Sequence, residues 1–137
     1  MTYRRARPRV VIADDHPEMV KRTAALVGAE FDVVATANDG ASAVECIRRF
    51  DPEIALLDLY MPGMTGIDVI KSLKASGART NVVIMTGYTD SDLAQAAIDA
   101  GAIAFITKSR LNDDLVVALR SAVQGTIFIS KNSIPKG

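Results

Sequence analysis

Five short apolar runs, separated by segments of helical periodicity, restrict the fold more than any other feature of this sequence. Polar residues hardly alternate with apolar ones in most of these runs, which is typical of strands that are covered on both faces. Between the runs, and after the last one, apolar residues recur three and four positions apart, as they do on the buried side of a helix. The predicted strands are residues 9–13, 31–36, 53–58, 81–86 and 102–107.

Five consecutive β–α units predict an α/β fold with a parallel sheet, right-handed crossovers and helices on both faces. The second run alternates more than the others, which predicts an edge strand. We therefore expect one doubly wound, five-stranded parallel sheet of order 2-1-3-4-5 with five helices. The predicted domain covers residues 9–124, after a flexible tail at 1–8. Residues 125–137 lack helical periodicity and are predicted to be a tail or the start of a linker.

Composition excludes several classes of protein. The chain of 137 residues suits a single domain, and its 16 lysines and arginines balance its 16 aspartates and glutamates. Neither nucleic acid nor a membrane surface is favoured by such a charge balance. Cys46 is the single cysteine, which predicts a reducing, cytoplasmic setting. No apolar run approaches the roughly 20 residues that span a bilayer.

Polar residues lie at the carboxyl ends of four of the five predicted strands. These residues are Asp14 and Asp15, Asp58, Thr86, and Lys108. The carboxyl ends of parallel strands share one rim of the sheet, and ligands bind there in open α/β folds. The sequence therefore predicts that these side chains form one site.

Three carboxylates at one rim require a positive partner. Two of them about 5 Å apart repel by about 3 kcal/mol at an effective dielectric constant of about 20. A set of oxygen ligands favours Mg²⁺, which retains several waters and takes few carboxylates. With the charge of Lys108, such a site would stabilise a phosphoryl group arriving at a carboxylate oxygen, and the central Asp58 is the natural nucleophile.

The residues at these strand ends resemble a known family. "ADD" after the first strand, "LLDLYMPG" around the third, "MTG" after the fourth and "FITKS" after the fifth are similar to motifs of the receiver domain of two-component response regulators. The resemblance covers about residues 9–124. It implies the flavodoxin-like, CheY-like fold, with Asp58 accepting a phosphoryl group from a histidine kinase or a phosphotransfer protein.

The same resemblance implies roles for the other residues of the rim. Asp15 would ligate Mg²⁺ directly, Asp14 would do so directly or through water, and the backbone carbonyl of Tyr60 would be a further ligand. Three more roles follow from it: phosphate pairing by Lys108, phosphate hydrogen bonding by Thr86, and a rotamer change of Phe105 on activation.

No proline follows Lys108, which departs from the commonest receiver pattern. "DDHP" and "KSRLNDDLVVALRSAVQG" instead resemble receivers that precede a LuxR-type helix-turn-helix domain. This resemblance implies dimerisation on phosphorylation and control of transcription. DNA would then be bound only through an effector domain that is not present in this chain. Either the chain is truncated before that domain or the protein has none, and we expect truncation.

Two tyrosines and one histidine near the rim have alternative interpretations. Tyr60 and Tyr88 lie two residues after Asp58 and Thr86; they are either exposed loop residues or rings that restrict the hydrolytic water and prolong phosphorylation. His16 is predicted to be structural, at the start of the first helix, because Mg²⁺ prefers oxygen.

Three other functions are compatible with this fold class. Phosphatases of the haloacid dehalogenase type place a second aspartate two residues after the nucleophile, where this chain has Tyr60. A flavin or nucleotide binder would have a loop rich in Gly, Ser or Thr after the first strand, but here the loop is acidic. A scaffold receiver that never takes up phosphate is disfavoured by the complete set of rim residues.

Overall fold

Short β-branched and aliphatic runs form a parallel sheet at the centre of the chain. The computed structural model describes residues 7–134, and its strands lie in the order β2-β1-β3-β4-β5-β6, all paired in parallel. The strands are β1 (Arg9–Ala13), β2 (Asp32–Ala37), β3 (Ile54–Asp58), β4 (Asn81–Thr86), β5 (Ala104–Thr107) and β6 (Phe128–Ile129). The predicted order of the first five strands is confirmed, with β2 at an edge.

Five helices cover the two faces of the sheet. They are α1 (Pro17–Val27), α2 (Gly40–Phe50), α3 (Gly66–Ala75), α4 (Ser91–Ala100) and α5 (Leu111–Gln124). Side-chain caps fix several of their starts: Asp39 accepts from the Ser42 amide, and Thr65 and Asp68 form a reciprocal capping box. Gly101, at a φ of 120°, follows the last residue of α4 and caps that helix.

The core consists of two apolar layers, one on each side of the sheet. Val10 and Ile12 point into the layer beneath α1 and α5, whereas Val11 points into the layer beneath α2, α3 and α4. All three side chains are fully buried, so β1 has no solvent-facing side. This double coverage explains the missing polar alternation in the central runs.

The sixth strand corrects the prediction of a five-stranded sheet. Phe128 and Ile129 pair with Ala104 and Phe105 on the free edge of β5. The sequence did not reveal this strand because two residues are too few to show any periodicity. The segment that was expected to be a tail thus packs on the sheet as far as Ser133, which is buried.

The ends of the chain were predicted to be tails. Residues 1–6 and 135–137 lie outside the described residues, so those parts of the predictions stay untested. Pro8, within the predicted N-terminal tail, accepts a hydrogen bond from the Asp32 amide, and the Arg7 guanidinium donates to the Gly28 carbonyl. In residues 7–134, no helix has the length and apolar character that crossing a bilayer requires.

Candidate functional site

The carboxyl ends of β1 and β3 bring four potential metal-ligating residues together. Ala13 pairs with Leu57 in the sheet, so the next residues, Asp14 and Asp58, lie side by side at its rim. Asp15 and His16 follow directly in the turn that begins α1. Each of these four residues offers a ligand atom, and these atoms all lie within 4.8 Å of one another. The predicted convergence of the three aspartates is therefore present.

Lys108 supplies positive charge to this acidic cluster of Asp14, Asp15 and Asp58. It follows β5 directly and begins a short 3₁₀ turn, Lys108–Arg110. Its ammonium donates a hydrogen bond to Asp14 Oδ2 at 3.0 Å and lies 3.4 Å from Asp58 Oδ2. Since its side chain is only 18% exposed, solvent screens these contacts weakly.

Asp58 carries its charge at an energetic cost. Its side chain is 7% exposed, and burial is the main reason that its pKa is raised, with repulsion from the Asp14 carboxylate as the next cause. Attraction to Lys108 opposes both effects without cancelling them. A cation bound beside the ionised Asp58, or a reaction that disperses its charge, would therefore relieve this cost.

Asp15 offers an oxygen that the described residues leave without a hydrogen bond. Its Oδ1 is buried and lies 3.1 Å from His16 Nδ1, but the pair does not have hydrogen-bonding geometry. The same ring nitrogen lies 3.0 Å from Asp14 Oδ1, which is the better-oriented contact. His16 is at the N-cap of α1, as predicted, and its side chain is 68% exposed.

The acidic cluster fits a divalent cation. Its carboxylates are hard donors, and an unpaired buried oxygen such as that of Asp15 is costly unless a cation or water satisfies it. The exposed His16 ring can swing away from the two carboxylates that it now contacts. The cluster could therefore hold a metal ion on its oxygen atoms.

Thr86 and Phe105 lie on β4 and β5, each with its own partners. Thr86 ends β4, is 1% exposed, and accepts a hydrogen bond from the Tyr88 amide at 3.2 Å. Phe105 is fully buried among the side chains beneath α4. These positions are those expected for the two residues, but their switching roles remain predictions.

The two tyrosines form a pair over the loops that follow β3 and β4. Tyr60 is 47% exposed and Tyr88 is 62% exposed, and their ring centroids lie 5.6 Å apart at an interplanar angle of 86°. Such an edge-to-face contact is favourable between aromatic rings. Both rings are exposed, as the first interpretation expected, and they also restrict each other. Their effect on hydrolysis stays a prediction. The carbonyl of Tyr60 as a metal ligand stays a prediction.

A second polar cluster beside Lys108 was not predicted. Asp114 lies in the first turn of α5, and its buried carboxylate accepts hydrogen bonds from Arg110 and Ser130. The spacing of Arg110 and Asp114, four apart on a helix, was the available signal. Nothing in the sequence indicated Ser130.

These observations define a doubly wound α/β domain with an acidic rim that could bind a cation and a lysine directly after β5. Residues 10–120 match the family described as the response regulator receiver domain. The chain belongs to this family, as the sequence motifs had indicated.

Several curated relatives share this domain. The chain is 36% identical over 124 residues to the nitrate/nitrite response regulator protein NarP of Escherichia coli, covering 89% of this chain and 58% of that protein. It is 35% identical over 129 residues to the probable transcriptional regulatory protein NarL of Mycobacterium tuberculosis, covering 92% and 59%. The chain thus spans less than two thirds of the length of these relatives.

Solved structures show the same fold. The signal receiver domain of the response regulator NarL from Mycobacterium tuberculosis matches with a TM-score of 0.79 at 34% identity, covering 87% of this chain and 98% of that one. A two-component response regulator of the LuxR family from Aurantimonas matches with a TM-score of 0.88 at 29% identity, covering 93% and 92%.

Proposed function

We propose that this chain is the phosphorylation-dependent switch of a two-component system, in which Asp58 accepts a phosphoryl group from a histidine kinase or a phosphotransfer protein. One observation carries the proposal: the carboxylates of Asp14, Asp15 and Asp58 converge on one rim with Lys108 beside them. Membership of the receiver family supports the same conclusion.

In the proposed reaction an Asp58 oxygen attacks the phosphorus of the donor, and the donor leaves with its bonding electrons. Asp58 is suited to this role because it lies at the end of β3, beside Asp14 and 3.4 Å from the Lys108 ammonium. As negative charge moves to the phosphoryl oxygens, Lys108 can pair with them at the cost of its present contact with Asp14. Positioning and charge stabilisation supply most of the catalysis in phosphoryl transfer.

We propose that the cation is Mg²⁺, held by Asp14, Asp15 and Asp58, with the Tyr60 carbonyl as a further ligand. When bound, it would neutralise the acidic cluster and the oxygens of the incoming phosphoryl group. The unpaired oxygen of Asp15 and the oxygen-only character of the carboxylates favour this ion over metals that prefer sulfur or nitrogen. His16 would then serve to begin α1 rather than to bind metal.

The proposed output is a change of surface around β5. Thr86 and Lys108 would both turn to the phosphoryl group, and Phe105 would change its rotamer as the loop after β4 moves. Only contacts that differ between the two states can shift such an equilibrium. We propose that the shifted surface controls homodimerisation and, through a DNA-binding effector domain outside this chain, transcription. The names of the relatives, which include transcriptional regulatory proteins, support this output.

The proposal is tested by labelling with acetyl phosphate in the presence of Mg²⁺. Intact-protein mass spectrometry should detect one added phosphoryl group on the parent chain and none on Asp58→Asn, because the amide is not a nucleophile for phosphorus. Removal of the cation with EDTA should also prevent labelling. Asp113→Asn is the matched control, since this aspartate has a 74% exposed side chain outside the acidic cluster. Stoichiometric labelling of Asp58→Asn would place the acceptor elsewhere and refute the assignment.

A further inference from the structure

The turn that carries Lys108 is held on both sides by the segment that follows α5. Ser130 Oγ accepts a hydrogen bond from the Thr107 amide at 3.1 Å, directly before Lys108. Asn132 contacts both neighbours of the lysine: its Oδ1 accepts from Thr107 Oγ1 at 3.1 Å, and its Nδ2 donates to Ser109 Oγ at 3.4 Å. The segment therefore contacts the residues before and after Lys108.

The hydroxyl of Ser130 accepts a hydrogen bond that a strand carbonyl would otherwise accept. The pairing of β6 with β5 ends at Phe105 and Ile129, and the Ser130 amide still donates to the Phe105 carbonyl at 2.9 Å. The next amide on this edge of β5 is that of Thr107, which bonds the serine side chain instead of a strand carbonyl. An unsatisfied buried amide would be costly, so the contact fixes the end of β5.

The buried Asp114 sets the orientation of that hydroxyl. Ser130 donates its proton to Asp114 Oδ2 at 2.7 Å, which leaves its lone pairs free for the Thr107 amide. Arg110 holds the carboxylate by two hydrogen bonds, at 2.9 and 3.3 Å. Ser130 is fully buried and Asp114 nearly so, which makes this chain of contacts from Arg110 to Thr107 rigid.

We infer that Ser130 and Asn132 are positioning residues for Lys108. They hold the 3₁₀ turn so that the ammonium reaches Asp14 and Asp58, and the segment from Phe128 to Ser133 is thereby coupled to the acidic cluster. The coupling is reciprocal by thermodynamic necessity, so a phosphoryl group that draws Lys108 away from Asp14 changes how firmly this segment is held. Its consequence for phosphorylation rests on the proposed function.

The first test needs neither metal nor phosphate. Acetylation of the metal-free protein by an N-hydroxysuccinimide ester, followed by peptide mass spectrometry, reports how well the Lys108 amine is held against Asp14. Ser130→Ala and Asn132→Ala should each accelerate acetylation of Lys108 by about three- to tenfold, the effect of losing one or two neutral hydrogen bonds to the residues that flank Lys108. Lys21, whose side chain is 78% exposed on α1, should react at an unchanged rate.

Ser133→Ala is the matched control. Ser133 lies in the same segment and is 1% exposed, but its hydroxyl has no hydrogen-bond partner among the described residues. Its substitution should leave the reactivity of Lys108 as in the parent. Asn132 is exposed, so its alanine variant keeps the test valid if Ser130→Ala does not fold. Parental Lys108 reactivity in the folded variants would overturn the inference.

A second measurement separates positioning from general damage. In both variants the rate of labelling by acetyl phosphate should fall about three- to tenfold, whereas the affinity for Mg²⁺ alone should not fall, because the carboxylates are untouched and a looser ammonium competes less with the cation. Equal loss of both, or of neither, contradicts the positioning role. If the parent and Ser133→Ala are not labelled at all, the proposed function fails, and the acetylation result still decides the inference.

Discussion

At the scale of single residues, the folded protein holds the charge of Asp58 at an energetic cost. Burial and the neighbouring Asp14 raise its pKa, so the folded protein binds the proton more tightly than the unfolded chain does. A group of this kind stabilises the fold fully below the pKa of the unfolded chain, about 4, and that contribution is lost as the pH rises through the raised value. At neutral pH the ionised group is therefore a source of instability.

Removing this charge should stabilise the metal-free protein. We expect Asp58→Asn to increase the free energy of unfolding at pH 7 by about 1 kcal/mol, as replacements of strained functional groups commonly do. The gain should shrink as the pH falls through the raised pKa and vanish below about 4, where the parental carboxyl is protonated in both states. Urea unfolding in EDTA between pH 5 and pH 7 measures it, with Asp113→Asn as the control for loss of an exposed charge. A less stable Asp58→Asn at pH 7 would contradict the electrostatic explanation.

The paired rings of Tyr60 and Tyr88 lead to a prediction about the lifetime of the phosphorylated form. Because the ring centroids lie 5.6 Å apart, each ring restricts the motion of its neighbour. We expect the double variant Tyr60→Asn, Tyr88→Ala to lose phosphate several-fold faster than the parent, since the hydrolytic water gains access. Phosphate release after acetyl phosphate labelling and donor removal measures this rate. Decay no faster than in the parent would leave the rings without this function.

At the scale of elements, the contact between α3 and β3 depends on one glycine. A Cβ on Gly66 would lie 2.7 Å from Ile84 Cδ1 and 3.0 Å from the carbonyl oxygen of Asp58. The Gly66 amide also donates to the Leu59 carbonyl at 2.7 Å. The start of α3 thus packs directly on the backbone of Asp58, the proposed phosphoacceptor.

Gly66→Ala should therefore destabilise the domain by about 1–3 kcal/mol, because overpacking must displace the backbone of β3 or the start of α3. Helix propensity alone predicts the opposite sign, a gain of up to about 1 kcal/mol. Gly87→Ala is the control: Gly87 lies at the same rim, and a Cβ there would meet no described atom within 4 Å beyond its chain neighbours. The urea midpoints of both variants measure this effect. A Gly66→Ala variant as stable as the parent would show that the neighbouring atoms can move to accommodate the Cβ.

The elements also show where sequence reasoning ends. Unbroken apolar runs such as residues 54–57 predicted buried strands because a strand covered on both faces needs no polar alternation. The strand Phe128–Ile129 was missed because its pairing with β5 depends on contacts such as that of Ser130 with Thr107, which join residues 23 positions apart. Tertiary contacts of this kind leave no local periodicity.

At the scale of the whole molecule, the site exists only when the sheet is complete. Asp14, Asp58 and Lys108 come from three strands, and the lysine reaches an aspartate 94 positions earlier in the chain. The parallel topology made this convergence predictable from sequence, because strand ends of one polarity meet at one rim. The topology did not predict that Lys108 would bond Asp14 at 3.0 Å and approach Asp58 only to 3.4 Å, since those distances depend on the turn held by Ser130.

Because the unfolded chain does not gather these groups, a cation bound by them must stabilise the fold as a whole. We expect the free energy of unfolding to rise with Mg²⁺ concentration, by about 1.4 kcal/mol for each tenfold increase above the dissociation constant. Asp15→Asn should lose most of this dependence, because the carboxylate that carries the buried, unpaired Oδ1 is replaced by an uncharged amide. Asp113→Asn should keep it, and NaCl at matched ionic strength separates binding from screening. Chemical unfolding at a series of Mg²⁺ concentrations gives the slope, and a parent whose stability does not change with Mg²⁺ would show that the acidic cluster binds no cation.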